Sequence, residues 1–461
     1  MRFLTLFLLL TAVALPAAAG LSDPFSTEAI TPPRPSPQSA GRNEAAPCLR
    51  ELPGAELTAV DAVDLTLCNN PQTREVWAAA RVQAAQVGVA QAAWLPNLDG
   101  DLAARRLDDD GRRYNASSAA LTLSWLVFDS GARSANGESA RQLLAAAAAT
   151  QDATVQSLFL SALQAFYTAQ ATRAAVVSTG EAERAAREGF NAAESRYNVG
   201  AATPADRLLA QTALSQATLN RIKAEGEARN ALGVLANVMG FSAGQSLVLA
   251  EPPALRPDAA FTGDVAALIA EAEARRPDLK AAEAQVKAAQ SGVDLAQAQG
   301  RPTVSVSAGP NWAEVDRLSA QGGLLGVTVS IPLFTGFDTT YRVRSAEAQA
   351  DVRAAQRDRL RNQVALDVWR AYQSLTTATQ SLRTTVDLVA SAEQSERVAL
   401  GRYKAGVGTV LDLLAAQSAL ASARLQRIQA ALDWYVFRAT LAQAMGALDY
   451  SLLDPAAQGR P

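Results

Sequence analysis

The sequence predicts a membrane protein of mixed α/β class, mostly α, built from one long unit that occurs twice. Three observations carry this reading. Residues 196–214 return as residues 402–420, 206 positions on, without a gap. The same offset pairs Pro71 with Pro277, Pro96 with Pro302, Ser124 with Ser330 and Met239 with Met445, so one register spans nearly the whole unit. Within each copy, a run with helical composition gives way to strand-like alternation just after Pro96 or Pro302 and then becomes helical again.

The chain begins with Arg2, an apolar stretch at residues 4–15 and Ala17-Ala18-Ala19, so residues 1–19 read as a secretory signal. A short membrane anchor is the alternative, but a spanning helix needs about 20 apolar residues. Residues 20–56, with Pro32-Pro33-Arg34-Pro35-Ser36-Pro37, read as an extended or disordered lead. Cys48 and Cys68 both fall in the exported part, where disulfides persist. They are read as a bridge closing about 20 residues, worth roughly 3 kcal/mol in the chain-entropy picture, or else as two separate thiols.

Residues 57–242 form the first repeat and 263–448 the second, with a proline-bearing linker at 243–262 and a tail at 449–461. The first helical pattern starts near Thr58, is interrupted around Asn69-Asn70-Pro71 and stops at Pro96. Strands follow at about residues 97–107 and 121–128, with Leu121, Leu123, Trp125 and Val127 on one face. In the second copy they fall at about residues 303–314 and 327–334, with Val327, Val329, Ile331 and Leu333 on one face. Polar loops are expected at residues 108–113 and 316–323, and Pro332 at a strand end or bend. Such strands have the length that a tilted strand needs to cross a bilayer. Phe128, Phe334 and Phe337 fit an interfacial girdle or ordinary packing equally.

From Gly131 to Tyr197, and from Phe337 to Tyr403, 67 residues run without proline. A helix of that length would extend roughly 100 Å. Gly200 and Gly406 then suit a left-handed helix end, Thr203 and Thr409 an N-cap, and Asp206 and Asp412 the third helical position. Each copy thus ends in a helix–turn–helix tip. Ala-rich seams and polar faces point to coiled-coil-like packing.

Four strands cannot close a barrel, and open edges are not tolerated in lipid. About eight strands are the practical minimum, so two, three or four copies pooling 8, 12 or 16 strands all remain open. The formal net charge of −3 and the lack of a basic, aromatic-interleaved cluster argue against nucleic acid. With no histidine in the chain, histidine metal sites and Ser-His-Asp or Cys-His chemistry are excluded. No enzyme constellation, metal site or cofactor site is expected.

The paired tips Arg196-Tyr-x-x-Gly200 and Arg402-Tyr-x-x-Gly406, each followed by its aspartate and a leucine-rich turn, are similar to those of the TolC-like outer membrane efflux family. The helix-to-strand prolines and the junctions at residues 125–131 and 331–336 add to the resemblance, which covers nearly the whole mature chain. The stretch at residues 67–77, followed by Trp94-Leu-Pro96, resembles the branch that exports RTX-type toxins by type I secretion. The resemblance implies a homotrimer with a 12-stranded outer membrane barrel and a periplasmic tunnel of helical hairpins. It implies a periplasmic membrane-fusion adaptor and an inner membrane ABC or RND transporter as partners, beside outer membrane lipid. A small-molecule efflux channel is the alternative within the family, and a coiled-coil adaptor without a barrel lies outside it.

By the same resemblance the tips form a gate. Asp412 and Asp206 match carboxylates that narrow the entrance, and Tyr403 a tyrosine that locks it, with Arg402, Gly406, Arg196, Tyr197 and Gly200 around them. Simple capping explains both aspartates as well. Some family members carry an arginine and a further acid where this chain has Gly408 and Ala415, so the lock is expected to be weaker or built from other residues.

Overall fold

The computed structural model describes residues 23–41, 48, 51–52, 56–109, 112–251, 264–316 and 318–453. The expected signal at residues 1–19 lies outside them, as do most of the linker and the last residues of the tail. The first repeat contains α1 (Ala59–Asn69), α2 (Pro71–Ala92), β1 (Asn97–Asp109), β2 (Arg112–Phe128), α3 (Ala132–Asn198) and α4 (Pro204–Val238). The second contains α5 (Val265–Arg275), α6 (Pro277–Ala298), β3 (Thr303–Val315), β4 (Leu318–Ser330), α7 (Asp338–Lys404) and α8 (Val410–Ala444). Every boundary recurs at the 206-residue offset except the ends of β2 and β4. Among the described residues, no helix is long and apolar enough to cross a membrane.

The chain divides into two compact units. Of the described residues, one holds 23–33, 78–148 and 282–355. Its sheet is an antiparallel meander in the order β1-β2-β3-β4. Register puts Leu98 opposite Leu123, Trp125 opposite Val306 and Val306 opposite Val327, so these residues share one apolar face. The other face pairs Asn97 with Ser124, Asp99 with Thr122 and Ser305 with Thr328. An apolar and a polar face on one sheet is the pattern of a strand wall between lipid and water. Gly309 sits where β2 and β3 approach closest, since a Cβ there would lie 1.8 Å from the Leu121 carbonyl oxygen.

Three sequence expectations change here. At the loop expected at residues 108–113, Asp108 pairs with Arg113 and Asp109 with Arg112, so β2 starts at Arg112 and not near Leu121. The loop expected at residues 316–323 is mostly strand, because Ser319, Ala320, Gln321, Gly322 and Gly323 all pair with β3. Small and glycine residues hid the alternation. Conversely, Ile331 and Leu333 lie beyond β4, which stops at Ser330. Pro332 has no N–H to give to a ladder, and the chain leaves the sheet there.

The second unit holds residues 34–77, 149–281 and those from Gln356 onward. Its core gathers Leu65, Leu67, Phe159, Leu163, Phe166, Leu235 and Met239. A second cluster follows Val364, Val368, Ala371, Leu375, Ala378 and Leu382 along α7 against Trp434 and Leu441. Those alternating steps of four and three are a coiled-coil seam. The lead segment is less irregular than its composition suggests. It forms a short 3-10 helix at Pro37–Ala40, and the Arg34 guanidinium lies 4.1 Å from the centre of the Trp77 ring. Cys48 and Cys68 are joined by a disulfide. Leu57 bridges to Leu249 through hydrogen bonds with Val248 and Ala250.

Candidate functional site

At both tips the backbone closes in the same way. Gly200 and Gly406 have φ of 76° and 81°, the left-handed region that glycine enters without strain. Gly200 N–H donates to Tyr197 O and Ala201 N–H to Arg196 O, and the second tip repeats both bonds from Gly406 and Val407. These are Schellman ends. Gly408 adds a further bond to Arg402 O, and a Cβ at Gly408 would crowd the Tyr403 nitrogen at 3.1 Å. A side chain at this position, such as the arginine that some family members carry, would need the neighbouring backbone to shift by a few tenths of an ångström.

Thr203 and Asp206 make a reciprocal capping box at the start of α4, and Thr409 and Asp412 make one at the start of α8. A backbone N–H and the hydroxyl from Thr203 hold the Asp206 carboxyl below its usual range. The Thr409 side chain and backbone do the same for Asp412. Both aspartates therefore cap helices, and Asp412 is exposed.

Tyr403 differs from its repeat partner Tyr197. It is 2% exposed, packed with Ala193, Ala210, Val410 and Leu413, and burial pushes its hydroxyl pKa up. Arg196 reaches from the first tip to the second. Its Nη1 donates to Tyr403 O at 2.8 Å, its Nη2 to Ala201 O at 3.3 Å, and its guanidinium lies 4.8 Å from the Tyr403 ring centre. Tyr197 instead lies beside the Arg207 guanidinium at 5.6 Å. Arg402 is exposed.

Sequence reasoning missed the contacts that join the two hairpins below the tips. Lys404 pairs with Glu188, Arg424 with Glu181, and Gln417 donates to Ala185 O, while Arg424 also pairs with Glu393 of its own hairpin. Within the first hairpin, Arg221 bridges Glu183 and Glu225. The i,i+4 spacing of Arg221 and Glu225 was readable. Pairs between distant helices were not, because nothing local in the sequence sets which faces meet. A groove of about 330 Å³ lies among α3, α4 and α8, lined by Ala182, Ala186, Ala213, Ala217, Leu414 and Gln417.

The outer membrane efflux protein family model matches residues 62–241 and again 268–447. The chain belongs to this family. It is an outer membrane channel protein of tripartite export systems, with its helical part on the periplasmic side, and not an enzyme. The channel is 34% identical over 410 residues to Protein CyaE of Bordetella pertussis, covering 87% of this chain and 86% of that one. It is 30% identical over 395 residues to the pyoverdine export outer membrane protein OpmQ of Pseudomonas aeruginosa, covering 78% and 80%. The crystal structure of the outer membrane protein VceC from Vibrio cholerae shares the fold, with a TM-score of 0.74 and 20% identity over 84% of this chain and 96% of that one.

Proposed function

We propose that the channel is a homotrimer whose three four-stranded sheets pool into one 12-stranded barrel, passing proteins outward by type I secretion. The observation that carries the pooling is the open sheet, and the resemblance to the TolC-like family sets the number of copies at three. β1 and β4 are its edges, and unpaired strand edges are too costly to face lipid. Twelve strands leave a water-filled bore, and the polar face of the sheet suits its lining. The protein-exporting assignment is supported by the resemblance at residues 67–77. The alanine-lined groove among α3, α4 and α8 is the surface assigned to a helix of a periplasmic adaptor. The tips are read as the gate, closed by the bonds around Tyr403 and made cation-attracting by Asp412 and Asp206.

The single test of architecture is native mass measurement in detergent, expected to give three chains; a stable monomer removes this reading. Cargo is tested by placing the channel with a type I transporter and adaptor in a host lacking its own channel. RTX-type protein in the medium is the expected result. Export of a small molecule without protein export would favour the small-molecule efflux reading, to which the likeness to the pyoverdine export protein OpmQ lends weight. For the gate, Asp412→Ala is expected to change cation selectivity in a planar bilayer while the trimer persists. Unchanged selectivity would leave Asp412 as a cap alone.

A further inference from the structure

The internal repeat specifies how one chain meets the next at the tips, given the trimer reading above. Within one chain, α3 and α7 both end at the tips, and each presents a carbonyl-rich, partially negative C-terminus. The Arg196 guanidinium, on the last turn of α3, bonds Ala201 O in the turn that follows it and Tyr403 O in the last turn of α7. A single cation thus offsets two like dipole ends and clasps the hairpins together.

In a closed ring of copies, the second repeat of one chain is followed by the first repeat of the next at a similar step. Moving the clasp on by one repeat replaces Arg196 with Arg402 and Tyr403 with Tyr197 of a second copy. The donor type is retained, and Arg402 is exposed within its own chain. We propose that Arg402 donates to the Tyr197 carbonyl oxygen of the adjacent copy, so that six clasps, alternately within and between chains, close the ring of tips.

The other contacts of the in-chain seam show how the two seams differ. Gln417, which donates to Ala185 O, maps onto Gln211 facing Ser391 O of another copy, so this donor too is retained. Both Gln211 and Ser391 are exposed. The ion pairs are not retained. Lys404 with Glu188 becomes Asn198 with Gln394, and Arg424 with Glu181 becomes Thr218 with Asp387. The seam between copies therefore keeps its donors to backbone carbonyls and loses its charge pairs. It is the less tightly held seam and the one that parts when the tips open.

The test uses the full-length channel carrying Tyr197→Cys and Arg402→Cys, treated with a short bismaleimide. The native cysteines are bridged and do not react. Dimer and trimer bands on a denaturing, reducing gel are expected. The control, Glu188→Cys with Lys404→Cys, is expected to cross-link within one chain and give no ladder. A preparation that is trimeric by native mass but gives no ladder from the 197/402 pair overturns this seam and leaves the trimer standing. A monomeric preparation removes the trimer reading and the seam with it. Arg402→Ala gives an independent readout in planar bilayers, expected as a higher resting conductance that Arg402→Lys restores to the parent level. Equal conductance of all three proteins overturns the clasp.

Discussion

The two strand-to-helix junctions occupy equivalent places in the repeats and solve the same turn with different chemistry. In the first, β2 leads into α3 through Ser130 and Gly131, with φ of 55° and 96°; in the second, β4 leads into α7 through Gly336 and Phe337, with φ of 62° and 68°. Around the first, Asp129 and Arg133 form a buried ion pair at 3.0 Å, and Arg133 lies 4.3 Å from the centre of the Trp94 ring. Arg133 also donates to the carbonyl oxygens of Ala93 and Val127. At the second junction the matching residues are Thr335, Thr339 and Gly300, and a Cβ on Gly300 would lie 2.3 Å from the Thr339 methyl. The backbone path thus does not depend on the ion pair. Within the single chain, β2 is paired on both sides and β4 on one. Beyond β4, Leu333 and Phe334 are 92% and 77% exposed in the single chain.

A second pair of sites shows one contact made by two means. Asn70 Nδ2 donates to Val238 O at 2.9 Å, and Arg276 Nη1 to Ala444 O at 3.5 Å, the same carbonyl one repeat on. Gly240 and Gly446 allow the chain to pass there, with positive φ in both repeats. The close approach is common; the donor is not.

If the first junction depends on its ion pair, Arg133→Ala has the largest effect. It strands Asp129, 6% exposed, without its cation and costs about 3–5 kcal/mol. Thr339→Ala, its counterpart, stays within about 0.5 kcal/mol. Chemical unfolding in detergent, followed by tryptophan fluorescence, measures both; equal losses would end the contrast. The Cys48–Cys68 bridge ties the lead segment to α1 of the first repeat only, since Cys68 corresponds to Ala274 in the second. Reduction is expected to cost roughly 3 kcal/mol and to loosen exchange protection around α1 more than around α5. Uniform loosening would show that the repeats do not respond separately.

At the backbone the repeats should behave alike. Gly131→Ala and Gly336→Ala each force a left-handed alanine and cost about 1–2 kcal/mol. A marked inequality between them would mean that side chains set the path after all. The smallest effect is acid fraying of the tips. Thr203 and Thr409 hold Asp206 and Asp412 below their ordinary pKa, so the contribution is present above the reference aspartate value of about 3.9. It is lost as pH falls through the lower folded-state values. Hydrogen exchange at the starts of α4 and α8 should rise together there, and a rise at only one would separate the tips.

Much of this was legible in the sequence because it is local or repeated. Proline and glycine positions placed the helix ends, Thr203 and Thr409 marked their caps, and the offset carried the helix boundaries from one copy to the other. The end of β4 was misplaced because Ile331 and Leu333 continue the alternation that Pro332 interrupts. The start of β4 was hidden by glycine and serine. Arg196 was visible as part of the tip motif, but its reach to Tyr403 was not. That contact joins residues 207 apart in sequence and depends on which helix faces meet.

The open edges of the sheet also bear on how the protein is made. A newly exported chain presents β1 and β4 as two rows of unsatisfied backbone donors and acceptors, each 13 residues long. Such a chain cannot enter the bilayer alone and then search for company, because the unpaired edges would have to be dehydrated first. Under the pooled-barrel proposal, association and insertion are one coupled event, with a rate that falls steeply as chains become scarce. Until it occurs, those same edges are templates for aggregation. The cell must either keep the waiting chains apart or supply them quickly enough that partners meet before strangers do.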